Sequence, residues 1–216
     1  ELQVGSHFSF LRGASSCEEL FEQAKALGIE ALGVVDRNSL AGIVRAHQAA
    51  RDTGLRLVVG CRLDLADALP VLVYPTDRQA YANLCRLLSL GKRRGGKAKC
   101  NLEWADLVAF GEGLIAVLVP DMADAACALG LRRLREAFGD RAYLALTLRR
   151  RPNDQLRLWE LVRLAAAVRV PTVVTNDVLF HEPRRRILQD VVTAIRHNVT
   201  IDDLGARRER HADRYL

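Results

Sequence analysis

The chain has 216 residues, 50% of them hydrophobic and 27% charged, with a formal net charge of +6 at pH 7. That is enough apolar material for a sizeable core and too ordinary a charge content for a disordered segment. No run of about 18 apolar residues appears, which excludes a helical membrane span, and the N-terminus lacks the basic-then-apolar pattern of a secretory signal.

Taken in chain order, helical and strand-like patterns alternate. Ser15 or Ser16 can cap a first helix, with Glu18 and Glu19 in its first turn and Leu20, Phe21, Ala24 and Leu27 on one stripe. Short apolar runs end at Gly33-Val34-Val35, Leu57-Val58-Val59 and Leu72-Val73-Tyr74. Thr76 or Asp77 opens a second helix carrying Ala80, Tyr81, Leu84, Leu87 and Leu88. Lys92-Arg93-Arg94-Gly95-Gly96-Lys97-Ala98-Lys99 breaks the pattern, and its glycines and like charges predict a mobile surface loop. Leu114 to Val119 is the longest apolar run, followed by Tyr143 to Leu146. A third helical stripe, Leu158, Leu161, Ala165 and Val168, precedes Thr172 to Thr175. Continuous apolar runs predict strands covered on both faces, and the alternation predicts an α/β architecture with right-handed crossovers. Pattern alone does not separate an open sheet from a closed barrel.

Cys17, Cys61, Cys85, Cys100 and Cys127 contain no CxxC pair and are odd in number. Reduced thiols in a cytoplasmic protein are the expectation, rather than a disulfide framework or a zinc site. The basic balance suits a nucleic-acid neighbour through phosphate attraction. The candidate contacts are Lys92, Arg93, Arg94, Lys97 and Lys99, with Arg184 to Arg186, Arg207, Arg208, Arg210 and Arg214 as further phosphate-facing groups. A simply solvated loop is the alternative for the first set. Aromatic residues do not interleave with these runs, which argues against a stacking platform. Neither a Gly-x-Ser-x-Gly elbow nor a Walker loop is present.

The opening stretch, Leu2-Gln3-Val4-Gly5-Ser6-His7-Phe8-Ser9-Phe10-Leu11-Arg12-Gly13, resembles the first motif of the PHP family, the polymerase and histidinol phosphatase group. That motif is a strand ending His-x-His-Ser and running on to Ser-x-x-Asp-Gly. Here Gln3 and Gly5 stand in the histidine positions and Arg12 in that of the Asp. Ala31 to Gly42 is similar to the second motif, with Asp36 and Gly42 matching and Arg37 replacing a His. Val59-Gly60-Cys61-Arg62 resembles a Gly-x-Glu strand end, with Arg62 in the Glu position, and Pro70 lies where a His is usual. Tyr81-Ala82-Asn83-Leu84 matches a helix of bacterial replicative polymerase alpha subunits. Val174-Thr175-Asn176-Asp177-Val178-Leu179-Phe180 resembles the late Thr-Asn-Asp-x-His-Tyr motif, with Asp177 kept and Leu179 in place of the His. His181 to Arg196 resembles the error-prone branch of the C-family polymerases.

The resemblance implies a distorted (β/α)₇ TIM-like barrel with its site at the C-terminal strand ends. It implies a PHP domain over 1–200, with 201–216 beginning the connection to the polymerase region of a longer parent. The start at Glu1 without Met and a stop inside a helix-like segment fit such an excised domain. An intact family site binds two or three divalent metals through His, Asp and Glu, and activates water against a phosphate ester. The remnant positions are Gln3, Gly5, His7, Arg12, Asp36, Arg37, Arg62, Asp177 and Leu179, of which only His7 and Asp177 are weak metal candidates. Three are arginines, which cannot ligate a cation and repel it. Arg12, Arg37 and Arg62 are therefore expected to cluster near Asp36 and Asp177 as substitute positive charges, with independent surface arginines as the alternative. The reading that follows is a domain without catalysis or cofactor of its own, inside an error-prone DNA polymerase of repair and damage-induced mutagenesis. The parent would use magnesium. The partners would be the rest of the polymerase chain, DNA and mutasome proteins, with no membrane. The competing readings are a metal-dependent phosphoesterase or 3′–5′ proofreading exonuclease, and a free-standing binding protein.

Overall fold

The computed structural model describes residues 1–208 and 213–216. They form two compact units, one of Glu1–Val59, Leu148–Arg151 and Thr175–Leu216, the other of Gly60–Thr147 and Pro152–Val174.

In the first unit α1 (Cys17–Ala26), β1 (Ala31–Val34), α2 (Ile43–Thr53) and β2 (Arg56–Val59) follow one another. Ser16 is the cap of α1 and closes a full capping box with Glu19, so both side chains satisfy amides the first turn leaves free. Strands β1 and β2 pair in parallel, Leu32 opposite Leu57. Val4 forms parallel bridges to Val34 and to Val178, which brings the first and last family motifs side by side. Beneath them Leu20, Phe21 and Ala24 of α1 pack with Leu32, Val34 and Ala46 in a fully buried core.

The second unit holds β3 (Cys61–Leu63), β4 (Val71–Pro75), α3 (Arg78–Gly95), α4 (Trp104–Ala109), β5 (Leu114–Leu118), α5 (Ala125–Phe138), β6 (Ala142–Leu146), α6 (Asp154–Val168) and β7 (Thr172–Val174). Its five strands hydrogen-bond in chain order. Strict alternation fails here: β4 is antiparallel to both β3 and β5, while β5, β6 and β7 run parallel. A parallel return needs a crossover of a dozen or so residues, and the short turn between β3 and β4 permits only a hairpin. The expectation of strands covered on both faces holds for β4, but β7 departs from it, because Val174 is 80% exposed.

Of the basic run expected as a loop, Lys92 to Gly95 is helical and only Gly96 to Lys99 is a turn. Lys92, Arg93 and Arg94 form the last turn of α3, where cations face the free carbonyls of the helix end. Gly96, at φ 72°, ends the helix, and Asn101 N–H returns to donate to the Gly91 carbonyl. Asp77, one of the two expected caps, accepts from Ala80 N–H.

The first unit resumes with α7 (Arg186–His197), preceded by a short turn at Pro183–Arg185. The end of the chain is extended rather than helical: Tyr215 bridges Phe180 in parallel. Among the described residues no helix is long and apolar enough to cross a membrane.

Candidate functional site at the strand ends

Asp36 follows β1 and is buried. Its carboxylate accepts from Ser6 N–H at 2.8 Å, Ser6 Oγ at 2.8 Å and Ser9 Oγ at 2.7 Å. Ser9 Oγ in turn accepts from Arg37 N–H at 3.1 Å. Gly42 sits against this carboxylate: a Cβ there would lie 2.7 Å from Asp36 Oδ2. The matching Gly and Asp of the second motif are thus coupled by space. Burial pushes the Asp36 carboxyl above its ordinary range, and the hydrogen bonds from Ser9 and Ser6 only partly offset this.

Asp177 lies on the last motif, in the left-handed region at φ 52°. Arg214 Nη2 stands 2.5 Å and Arg149 Nη1 3.4 Å from its Oδ2. Arg214 Nε also donates to the Asp177 backbone carbonyl at 3.0 Å. One guanidinium therefore holds both the side chain and the backbone of the same residue. Both Arg214 and Asp177 are buried.

The two positions with no polar group, Gly5 and Leu179, adjoin each other. A Cβ on Gly5 would lie 3.6 Å from Leu179 Cδ2 and 3.5 Å from Ser9 Oγ, an ordinary contact distance. Leu179 packs with Ala14, Phe180 and Tyr215 in a small apolar cluster. Gln3 is buried, and its Oε1 accepts from Thr175 Oγ1 at 2.8 Å, while its Nε2 finds no partner. His7 is exposed, stacked on Phe8, with Nδ1 3.3 Å from the Ser15 carbonyl. Arg12 is half-buried, and its charge, with those of Arg196 and Arg207, is felt at His197, although desolvation is the larger cause of that imidazole's depressed pKa.

In the second unit Arg62 Nε donates to Asp64 at 3.1 Å. Pro70, just before β4, is half-buried, and its carbonyl accepts from Val119 N–H. Of the basic run, Arg94 pairs with Asp106 at 2.6 Å, and Lys92, Arg93, Lys97 and Lys99 are exposed.

The guanidiniums on Asp177 are thus Arg149 and Arg214, which the sequence reading did not place there. Arg214, read from sequence as phosphate-facing, is instead buried in this ion pair. Arg185 pairs with Glu19, and Arg186 and Arg208 pair with Asp190. Arg210 lies outside the described residues. Ser6 and Ser9 were legible as motif serines, but their role as donors to Asp36 was not. Arg149 sits in the run Arg149-Arg150-Arg151, whose charge density was the available signal.

The donor set does not fit a cluster of two or three divalent ions. Each ion requires roughly four or more donors, while the matched positions supply Gln, Gly, Arg, Pro and Leu, and the two aspartates already have internal partners. Among the described residues no group of three His, Cys, Asp or Glu side chains is arranged to hold a metal.

Two solved structures share the α/β fold. A protein described as a metal-dependent phosphoesterase from Bifidobacterium adolescentis aligns with a TM-score of 0.62 at 15% identity, over 82% of this chain and 86% of its own. An amidohydrolase from Chromobacterium violaceum aligns with a TM-score of 0.65 at 14% identity, over 83% and 87%. The fold is thereby TIM-like, as the family resemblance implied; the alternation of elements by itself implied only the α/β class.

A PHP domain model matches residues 1–151, and the chain belongs to the PHP family. It is 74% identical over all 216 residues to error-prone DNA polymerase 1 of Agrobacterium fabrum. It is 68% identical to the error-prone DNA polymerase of Allorhizobium ampelinum and 47% identical to that of Rhodopseudomonas palustris. In each case the whole chain matches, and it spans 20% of the relative's length.

Proposed function

We propose that this chain is the PHP domain of an error-prone DNA polymerase, and that it serves that enzyme as a metal-free architectural module. The observation that carries the second half is the ion pair of Asp177. Its positive counter-charge comes from Arg214 at 2.5 Å, with Arg149 at 3.4 Å, in the place where a family site would use an ion. A carboxylate so neutralised, beside Gly5 and Leu179, has neither free charge nor neighbouring ligands for a cation. The relatives' names support the first half.

Polymerisation, with magnesium, would then belong to parts of the parent outside these residues, in repair and damage-induced mutagenesis in the cytoplasm. The exposed Lys92, Arg93, Lys97 and Lys99 are the groups of this domain suited to nucleic-acid phosphates. Mutasome proteins remain a proposed class of partner.

Elemental analysis of the purified native polymerase, paired with phosphatase and 3′–5′ exonuclease assays, tests the metal-free reading. The expected result is substoichiometric zinc, manganese and iron bound by the PHP domain, with no hydrolysis that depends on Asp177. Stoichiometric metal with hydrolysis abolished by Asp177→Asn would overturn it in favour of a phosphoesterase or exonuclease.

A further inference from the structure

Helix α7 is built with its polar side inward. Gln189 and Thr193 are fully buried, with Ala194 beside them, and Gln189 Nε2 donates to Thr193 Oγ1 at 3.0 Å. Ile187, Leu188, Val191, Val192 and Ile195 recur at i, i+1, i+4, i+5 and i+8, a single apolar face on the opposite side. Much of that face is open: Ile187 is 74% and Ile195 59% exposed and Leu188 is exposed as well, while Val191 and Val192 between them are half-buried. An amphipathic helix in a self-sufficient domain turns its apolar face to the core, because each large aliphatic side chain left uncovered forgoes about 1.5–3 kcal/mol of burial. Here the core side is occupied by Gln189 and Thr193, where Thr193 Oγ1 also donates to the Gln189 carbonyl at 2.8 Å and Gln189 Oε1 finds no protein partner.

We infer that the outer face of α7 is the docking surface for another part of the same polymerase chain. The inference rests on the reading of this chain as one domain of a longer polymerase, and deepens it by naming the face. Two observations choose that occupant. The three relatives are about five times as long as this domain and match it over its whole length, so a covalently attached partner is present at high effective concentration. The C-terminal end of α7 also carries basic residues, Arg196 and His197 in its last turn, with Arg207 at the end of the short helix that follows. Arg196 reaches the Leu11 carbonyl at 3.1 Å, which ties α7 to the turn bearing Arg12. The complementary surface is therefore an apolar patch with carboxylates beyond the Ile195 end.

Hydroxyl-radical footprinting of the intact native polymerase, read peptide by peptide, tests this. Val44 on α2, 78% exposed, is the internal reference. Ile187 and Ile195 are expected to oxidise at least about ten-fold more slowly than Val44, the protection given by a closed interface. Single cysteines introduced at Ile187→Cys, Ile195→Cys and Val44→Cys, labelled with a maleimide, should repeat that ranking. Equal rates at the three positions would overturn the inference. Protection that disappears on dilution would also overturn it, by showing a second copy on the face. A native chain of only 216 residues would remove the parent-polymerase reading itself, a failure seen by mass before any footprint is taken.

Discussion

Asp36 and Asp177 are both buried carboxylates at strand ends of the first unit, yet they are satisfied in opposite ways. Asp36 accepts from neutral donors, the amide of Ser6 and the hydroxyls of Ser6 and Ser9. Asp177 is held by two guanidiniums, one of which also grips its backbone. Hydroxyls can satisfy lone pairs but cannot neutralise charge, so burial raises the pKa of the first carboxyl. Guanidiniums supply both, at the cost of desolvating three charged groups together. Two buried carboxylates of one unit are thus satisfied by whichever neutral or cationic partners their own neighbours provide.

The largest effect should come from breaking the charged turn. Asp177→Asn keeps a residue that tolerates the left-handed backbone but removes the carboxylate charge that buried Arg214 pairs with. Such a loss is worth about 3–5 kcal/mol, and urea denaturation should show the midpoint fall with the slope unchanged. Next is the steric partner of the neutral turn. Gly42→Ala places a Cβ 2.7 Å from Asp36 Oδ2 and 2.9 Å from Phe8, and should cost roughly 1–3 kcal/mol in the same measurement.

Asp36→Asn should cost about 1–3 kcal/mol at neutral pH, because one acceptor oxygen then replaces two and an amide N–H₂ faces hydroxyl donors. It also has a signature that Asp177→Asn lacks a basis for. The folded chain holds the Asp36 proton more tightly than the unfolded chain, whose carboxyl has its ordinary value near 3.8. This contribution to stability is therefore complete below 3.8 and is lost as pH rises through the elevated folded value. Urea midpoints from pH 3 upward should decline through that window in the native chain, and the variant should lack that component. An identical pH profile in both would break the distinction between the two turns. The smallest effect is expected at Gly5→Ala, within about 0.5 kcal/mol, since the added methyl meets Ser9 Oγ and Leu179 at 3.5–3.6 Å. A large loss there would mean that the space beside Gly5 is itself structural.

Much of the fold was legible because its signals are local. The Ser16 and Glu19 capping box, the Asp77 cap and most of the apolar stripes of α1, α3 and α6 each occupy a few consecutive turns, although Leu27 and Tyr81, expected on two of those stripes, are exposed. Where the reading went wrong, a longer-range partner decided. Lys92 to Arg94 looked like loop residues, yet the returning segment at Asn101 pins their helix. Val174 looked like a buried strand residue, yet nothing in its own unit covers it. The site was legible in outline only: the motif frame named Asp36, Gly42 and Asp177. The partners of Asp177 are 28 and 37 residues away in sequence, and no pattern within a motif could name them.

The sequence by itself determined the family, the alternation of elements and the replacement of ligand-type side chains at most of the motif positions. These are properties of residue identity and short spacing. Tertiary structure alone decided which arginines neutralise Asp177, which hydroxyls satisfy Asp36, and that α7 turns its apolar face outward. Each depends on distances between segments remote in the chain, where burial sets the strength of every charge and hydrogen bond.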